Sequence, residues 1–428
     1  MGSGAGVSDV LIVGAGPAGL AAAYRAARAG SRVAVVDDNP HAGGQIWRGE
    51  QSKPSSREAQ IWFERIRSAN IRFIPGARIF QQTQPGQLLA ETPGGVTELN
   101  YTNLILATGA RERFLPFPGW TLPNVMGAGG LQALVKTGLS IARKKVVVAG
   151  SGPLLLAVAD YLRERGADVL LIAEQAPASR LARFGLNLFG AGKSTQAFEL
   201  KRRLKGVKYL HGCWPVAAHG EEKLTSVALL HGGFRGGKTW RVECDYLACG
   251  FHLVPNLELA ELIECRIENG AVHVDEFQQT SVAHVYAAGE ATGIGGLDLS
   301  LIEGEIAGLA ASGKRDEARK LFSVRAKGKG FARILNETFA LREELRDLVK
   351  TETLVCRCED VSFGQLKCNQ SWRAAKLQTR CGMGPCQGRV CGPAVEFLFG
   401  WRVESVRPPI FPVRVGSLIK EKHEGTQR

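Results

Sequence analysis

Residues 7–38 read VSDVLIVGAGPAGLAAAYRAARAGSRVAVVDD, and the reading of this stretch decides the fold. Val10–Val13 is a continuous apolar run, the pattern of a strand buried on both faces of a parallel sheet. Gly14, Gly16 and Gly19 follow as GxGxxG, and the alanine-rich segment after them predicts a helix to about Ala29. Gly14 permits the tight turn, Gly16 lets backbone approach a pyrophosphate, and Gly19 allows close packing of helix on strand. Pro17 and Ala18 stand at the start of the helix, whose unpaired N–H groups face phosphate. The next strand, RVAVVD, ends in Asp37, eighteen residues after Gly19, where a carboxylate accepts hydrogen bonds from ribose hydroxyls. Strand, turn, helix and acid at these spacings predict a dinucleotide-binding fold.

The same logic returns about 136 residues later in KKVVVAGSGPLLLAVADYLRERGADVLLIAE, residues 144–174. Gly150 and Gly152 match the first two glycines and Glu174 matches Asp37, but Leu155 takes the place of the third glycine. A bulky residue there pushes helix and strand apart. Two readings stand side by side. One is an NAD(P)H site; the other is a structural relic of the repeat that holds nothing or another adenine nucleotide such as ATP. No arginine pair after the second strand is read as a 2′-phosphate site. FGAGKST, residues 189–195, resembles a phosphate-binding loop, yet GxxxxGK[ST] requires glycine at 187 and Asn187 stands there.

The chain has 428 residues, long enough for two or three domains, and its 45% hydrophobic and 22% charged content is that of a globular protein. Its 52 glycines fall in short GxG and GG clusters rather than in one tract. The formal charge is +13, from 54 Lys plus Arg against 41 acids, but the basic residues are dispersed with no aromatic–basic stripe. Nucleic acid is therefore not the expected partner, whereas acidic subunits or phosphates are. No apolar run reaches the ~20 residues that span a bilayer. The start has neither a basic n-region nor a separate apolar h-region. The expectation is a cytoplasmic protein, with attachment at the periphery of the inner membrane left open.

Six of the ten cysteines lie between positions 356 and 391. In a reducing compartment such crowding points to metal rather than disulfides. TLVCRCEDVSFGQL, residues 353–366, gives Cys356 and Cys358 as CxC, which in an extended segment share one face about 7 Å apart. GMGPCQGRVC, residues 382–391, gives Cys386 and Cys391 in a glycine-rich loop whose N–H groups can approach sulfur. Four thiolates in two pairs suit a [2Fe–2S] centre, with zinc as the runner-up and Cys381 as a reserve ligand. Cys368 falls outside the pairs. Cys213, Cys244, Cys249 and Cys265 show neither the CxxC nor the CxxxxC spacing of a redox disulfide and read as buried thiols.

Three further segments carry a resemblance. HAGGQIW places Gly43, Gly44 and Gln45 just past Asp37; LILATGA ends a strand at Ala107, Thr108 and Gly109; TSVAHVYAAGEATGIGG ends another at Gly289 and Glu290. With the two glycine motifs, residues 7–315 resemble the two-dinucleotide-domain flavoproteins that include the pyridine nucleotide–disulfide reductases. The resemblance implies FAD at the first motif, completed by the Ala107–Gly109 and Gly289–Glu290 segments. Glu290 would stand where that group carries aspartate. The cysteine module resembles the bacterioferritin-associated-ferredoxin type of [2Fe–2S] domain, departing from it in a CxxxxC where a CxxC is usual.

VCRCEDV, TRCGMGPCQGR and GARERFLPFPGWTLPNV together resemble the α subunit of multi-subunit, dye-linked amino-acid dehydrogenases. That group comprises the D-hydroxyproline dehydrogenases, the opine oxidases and hydrogen cyanide synthase. SWRAAKLQTRCGMG and the compact last domain look most like the hydroxyproline enzymes. The resemblance implies an α/β chain of two Rossmann-like domains with the disulfide-reductase FAD/NAD(P) fold, plus a small C-terminal [2Fe–2S] domain. It implies the following layout: the first part of the FAD domain at 1–112, the second dinucleotide domain at 113–250, and the second part of the FAD domain at 251–315. A helical connector at 316–350 and the cluster domain at 351–428 complete it. It further implies electron transfer from a catalytic β subunit of amino-acid-oxidase type. FMN at the subunit contact, a small ferredoxin-like γ subunit, and a quinone or respiratory protein as acceptor belong to the same expectation. An NAD(P)H-dependent reductase feeding its own cluster is the alternative. No residue of this chain is expected to abstract a proton or hydride from substrate.

Overall fold

Strand Ser8–Val13 lies at the centre of a parallel sheet, with Val33–Asp37 on one side and the end of Gly95–Leu106 on the other. Ile71–Pro75 and Val285–Ala287 extend that sheet in parallel at its two sides. These are the apolar runs of the sequence, and burial on both faces is why they do not alternate with polar residues. The start of Gly95–Leu106 bends away into an antiparallel meander with Gln87–Thr92 and Arg78–Gln84. The computed structural model describes residues 6–50, 56–190, 199–200, 202–234, 236–403 and 406–419.

The helix Pro17–Arg28 starts on the third residue after Gly14, and Ala18, Ala21, Ala22, Ala23 and Ala26 are all buried. Small side chains are required because the helix is covered on a second side by Leu297–Ala311, whose Gly304 and Gly308 press on Ala18 and Ala22. The second sheet is all parallel, in the order Lys208–His211, Asp168–Glu174, Lys145–Ser151, Tyr246–Phe251, Val125–Gly127. A three-stranded antiparallel sheet, Cys213–His219, Ser226–His231 and Lys238–Glu243, sits beside it. The chain passes between the two folds twice, and the crossings pair with one another as Ala110–Glu112 and Leu253–Pro255.

After the helix Leu297–Ala311 come Arg315–Arg319 and the long helix Phe322–Thr338, then a 3-10 turn at Glu343–Leu348. The cysteine module follows, with its own core of Val355, Cys356, Val361, Leu366, Trp372, Ala375, Cys381, Cys391 and Val395. Its short helices begin on serines that accept from backbone N–H, Ser362 in a reciprocal capping box with Gln365 and Ser371 toward Ala374. Trp120 Nε1 donates to Leu354 O at 2.6 Å and ties the module to the second fold. The last described segment runs back over the first fold, where Ile410 N donates to Phe80 O and Ser417 Oγ donates to Glu91 Oε1. Among the described residues no helix is long and apolar enough to cross a membrane. Asn187 lies in the helix Ala178–Gly190, and the part of the P-loop-like stretch from residue 191 onward lies outside the described residues.

Candidate cofactor sites

Four separate segments converge on the first glycine turn. Gly14 has φ +106°, and a Cβ there would meet Ala107 O at 2.1 Å, so the turn and the Ala107–Gly109 segment touch backbone to backbone. A Cβ at Gly19 would strike Gly14 O at 1.8 Å, which is the close helix–strand approach the motif demands. Gly43 N donates to Ala15 O, and Gly44 stands against Gly16 so closely that a Cβ would lie 2.8 Å from its Cα. Gly289 lies against Ala18 in the same way. Asp37 holds the turn from below: Oδ2 accepts from Ala15 N at 2.6 Å and Oδ1 from Asn39 N at 2.8 Å. Gln45 is exposed at the rim and accepts from Arg48.

Glu290 is the telling residue. Its Oε1 accepts from Gly296 N at 2.9 Å, while Oε2 is buried with no hydrogen-bond partner among the described residues. Burial raises its pKa above the ordinary carboxylate value. A buried acceptor without a donor is costly, and a hydroxyl-bearing ligand in the cradle would supply one. Backbone-lined turn, helix N-terminus and orphaned carboxylate oxygen together fit the dinucleotide half of FAD. Glu303 is a residue the sequence did not single out. It is buried in an apolar helix and accepts from Gly289 N at 3.1 Å and Thr292 Oγ1 at 2.8 Å, so it shapes the Gly289–Glu290 turn from behind.

The second motif is built differently. Gly150 and Gly152 have φ +131° and +107° as a turn requires, and Leu155 is packed in the core between helix and sheet. Glu174 is 0% exposed, with Oε2 accepting from Gly152 N and Oε1 from Ala176 N, each at 2.8 Å. Burial pushes its carboxyl up to about 7. The cover comes from far along the chain. Ser151 Oγ donates to Phe339 O at 2.9 Å, Gln175 Nε2 donates to Ser151 Oγ at 2.9 Å and to Ala340 O at 3.3 Å, and Arg180 Nη1 donates to Ala340 O at 3.0 Å. Phe339 itself is buried against Phe184. Residues 339–340 thus strap the turn whose counterpart in the first fold stays accessible. Arg180 and Arg183, an arginine pair that no sequence motif marks, line a surface cavity of about 460 Å³ with Arg333 and Glu337.

In the C-terminal module the sulfur atoms of Cys356, Cys381 and Cys391 lie within 4.8 Å of one another, all three buried. Cys386, half-buried, is within hydrogen-bonding reach of Cys391 and of Cys358. The expectation that Cys356 and Cys358 share one face of a strand does not hold. The strand Leu354–Cys356 ends at Cys356, the chain turns, and Cys358 is exposed while Cys356 is 1% exposed. Cys381, the reserve ligand, lies at the centre of the group because the left-handed Arg380 ends the helix Trp372–Thr379 and turns the next residue inward. Gly382 and Gly388 let the cysteine loop lie on the Trp372 ring.

The thiols of Cys381 and Cys391 donate to Cys356, which lowers it to about 2; Cys391 likewise lowers Cys386, to about 5. The donors Cys381 and Cys391 are themselves pushed up. Three buried sulfurs within 4.8 Å of one another, two of them 4.0 Å apart, are a donor set for a soft cation, which would replace their protons. Three buried sulfurs therefore meet at one point with Cys386, and beyond it Cys358, at their side, and the set fits an iron–sulfur cluster by its chemistry. Cys368 is exposed and points its thiol at Gly364 O. Cys213, Cys244, Cys249 and Cys265 are buried, and burial pushes their ionisation up, to about 12 for Cys213 and Cys244.

One nucleotide fold inserted into another defines a class, and residues 8–308 match the model of the pyridine nucleotide-disulphide oxidoreductases, the family to which this chain belongs. Its relatives narrow the position. An opine oxidase subunit of Rhizobium meliloti is 30% identical over 96% of this chain and 98% of its own length. Hydrogen cyanide synthase subunit HcnB of Pseudomonas aeruginosa is 29% identical over 89% of this chain and 90% of its own. The chain is a flavin-dependent oxidoreductase of the group that holds these subunits. The solved structure of L-proline dehydrogenase from P. horikoshii has the same fold, with TM-score 0.66 and 20% identity, covering 97% of this chain and 80% of that one. Thioredoxin reductase of T. acidophilum shares it over 72% of this chain and 98% of its own, with TM-score 0.55 and 22% identity.

Proposed function

We propose that this chain is the electron-transfer subunit of a hetero-oligomeric amino-acid dehydrogenase, taking electrons from a catalytic flavoprotein subunit that oxidises a C–N bond. D-hydroxyproline, a related imino acid or an opine is the substrate class. The domain layout at 1–112, 113–250, 251–315, 316–350 and 351–428 is part of the same reading. A bound flavin accepts two electrons together and an iron–sulfur centre passes them on singly, which is the chemistry the two sites would supply. Gly14, Gly16, Gly44 and the start of the helix Pro17–Arg28 hold the pyrophosphate, Asp37 the adenine-side ribose, and Glu290 a hydroxyl of the flavin's chain. Cys356, Cys358, Cys386 and Cys391 would hold the cluster, with Cys381, which packs with Cys356 and Cys391, as the alternative to Cys386. FMN at a subunit contact and a ferredoxin-like third subunit fit the same assembly, and a quinone or respiratory protein fits as acceptor.

The observation that carries this reading is the second motif. A chain fed by NAD(P)H needs an open seat for that nucleotide beside its flavin. Here the carboxylate, Glu174, is fully buried where Asp37 of the first fold is partly exposed, and residues 339–340 strap the turn beside it. Electrons are then better supplied by a partner, and the two full-length relatives are named as subunits. Purification from native source, with identification of co-purifying chains and assay of FAD, FMN, adenine nucleotide, iron and sulfide, tests the assembly. Substrate-dependent dye reduction by the complex, and none by the isolated chain, is the expected outcome. Rapid bleaching of NADH by the isolated chain would overturn it in favour of a self-contained reductase.

A further inference from the structure

A line of polar side chains runs without a break from the flavin-type site to the cysteine loop. It begins at the Thr108–Gly109 turn, which Asn256 grips at three points. Asn256 N donates to Gly109 O at 3.0 Å, Asn256 Nδ2 to Thr108 O at 2.9 Å, and Thr108 Oγ1 to Asn256 O at 2.8 Å. Arg111 Nη1 donates to Asn256 Oδ1 and to Glu258 Oε1, both at 2.8 Å. The same Glu258 oxygen lies 3.5 Å from Arg389 Nε. Arg389 stands between Cys386 and Cys391 in sequence, and its Nη1 lies 3.4 Å from Cys386 O. Its Nη2 donates to Ile410 O at 2.7 Å and its plane covers the Phe411 ring at 3.9 Å.

The charges in this line do not sit like surface ion pairs. The side chains of Arg111, Glu258 and Arg389 are 26%, 20% and 16% exposed, and one carboxylate oxygen serves two guanidinium groups. Partly withdrawn from water, the two cations repel strongly once the carboxylate between them is neutralised. An exposed pair tolerates such a loss; this one must open. Arg111 is fixed by its strand and by Asn256, so the displacement falls on the Arg389 side, where the remaining holds are Ile410 O and the Phe411 ring. Electron transfer falls steeply with separation, so the stance of that loop matters to a redox chain and not to a scaffold.

We propose that Glu258 is a positioning residue for electron transfer, clamping Arg389 and the Cys386–Cys391 loop to the Thr108–Gly109 edge of the flavin site, and that Arg389 presents its positive charge to the cluster. The inference rests on the flavin-and-cluster reading above. In the transfer one electron leaves the reduced flavin and one enters the cluster; Glu258 and Arg389 form and break no bond. A cation beside a centre that gains negative charge favours the reduced state and so raises its potential.

The test uses the complex as purified, in the wild type and in Glu258→Gln, Arg389→Gln and Arg389→Lys. Flavin and iron content are measured first, then the rate of cluster reduction after rapid reduction of the flavin, then the cluster's midpoint potential. Glu258→Gln is expected to slow flavin-to-cluster transfer at least tenfold at full flavin and iron content. Arg389→Gln is expected to lower the midpoint potential, and Arg389→Lys to restore the potential without restoring the rate. The double variant Glu258→Gln with Arg389→Gln should be no slower than the slower single one, because both break the same clamp. Wild-type rate in Glu258→Gln together with wild-type potential in Arg389→Gln, both with full cofactors, would overturn the inference while leaving the proposed function intact. If Glu258→Gln loses iron, the potential of Arg389→Gln decides. A wild-type complex without iron or flavin sinks the proposed function itself.

Discussion

At Asp37 a half-buried carboxylate props a turn where three other segments of the first fold meet and where a buried oxygen of Glu290 waits for a donor. At Glu174 the equivalent carboxylate accepts from two backbone N–H groups as Asp37 does, but it is fully buried, and its turn is strapped through Ser151 and Gln175 by residues 339–340. Strand, first two glycines and acid are alike in the two places, so the shared part of the motif does not by itself tell the two turns apart. What differs is the third glycine and what the rest of the chain lays over the turn. On the proposed reading, the third position and this cover together decide which turn takes a nucleotide.

The sharpest way to break the comparison is to exchange the third position. Gly19→Leu gives the first motif the second motif's residue, and its Cβ alone would fall 1.8 Å from Gly14 O. Purified Gly19→Leu protein is expected to carry no flavin, read from the visible spectrum and from released cofactor. Leu155→Gly makes the reverse exchange. It removes a side chain that is 1% exposed and should cost about 3–5 kcal/mol, measured by denaturant unfolding. It should not create NADH binding, because the strap remains; NADH titration followed by fluorescence checks this.

A smaller effect separates strap from motif. Gln175→Ala deletes the donor to Ser151 Oγ and Ala340 O and should cost about 1–3 kcal/mol, with faster hydrogen exchange confined to the region of residues 339–342. Smallest is a pH effect. Burial raises Glu174 from 4.5 to about 7 in the folded chain, so its contribution to stability is complete below about 4.5 and is lost as pH climbs through about 7. Glu174→Gln cannot ionise. The difference in Tm between variant and wild type should move in the variant's favour from pH 5 to pH 8, whatever its sign at pH 5.

The sequence made the first motif legible because every part of it is local: Gly14, Gly16, Gly19 and Asp37 lie within 24 residues, and their spacing follows from one strand–helix–strand unit. The cysteine crowding was legible for the same reason. The choice among the cysteines was not, since it turns on where the strand stops after Leu354 and on the left-handed Arg380 that sends Cys381 inward. The strap was hidden altogether, because Ser151 and Phe339 are 188 residues apart and neither belongs to a recognisable pattern. Arg111, Glu258 and Arg389 likewise meet only when three distant stretches are folded together.

The strap also carries a consequence for biosynthesis. A chain made from its N-terminus completes both nucleotide folds before Phe339 emerges, and domains tend to fold as units in that order. The keyhole at Ser151 and Gln175 is then ready when its bolt arrives, and the cysteines downstream of the bolt are registered last. On the proposed reading, the cysteine module would take up its metal only after both nucleotide folds have taken shape, on a finished frame.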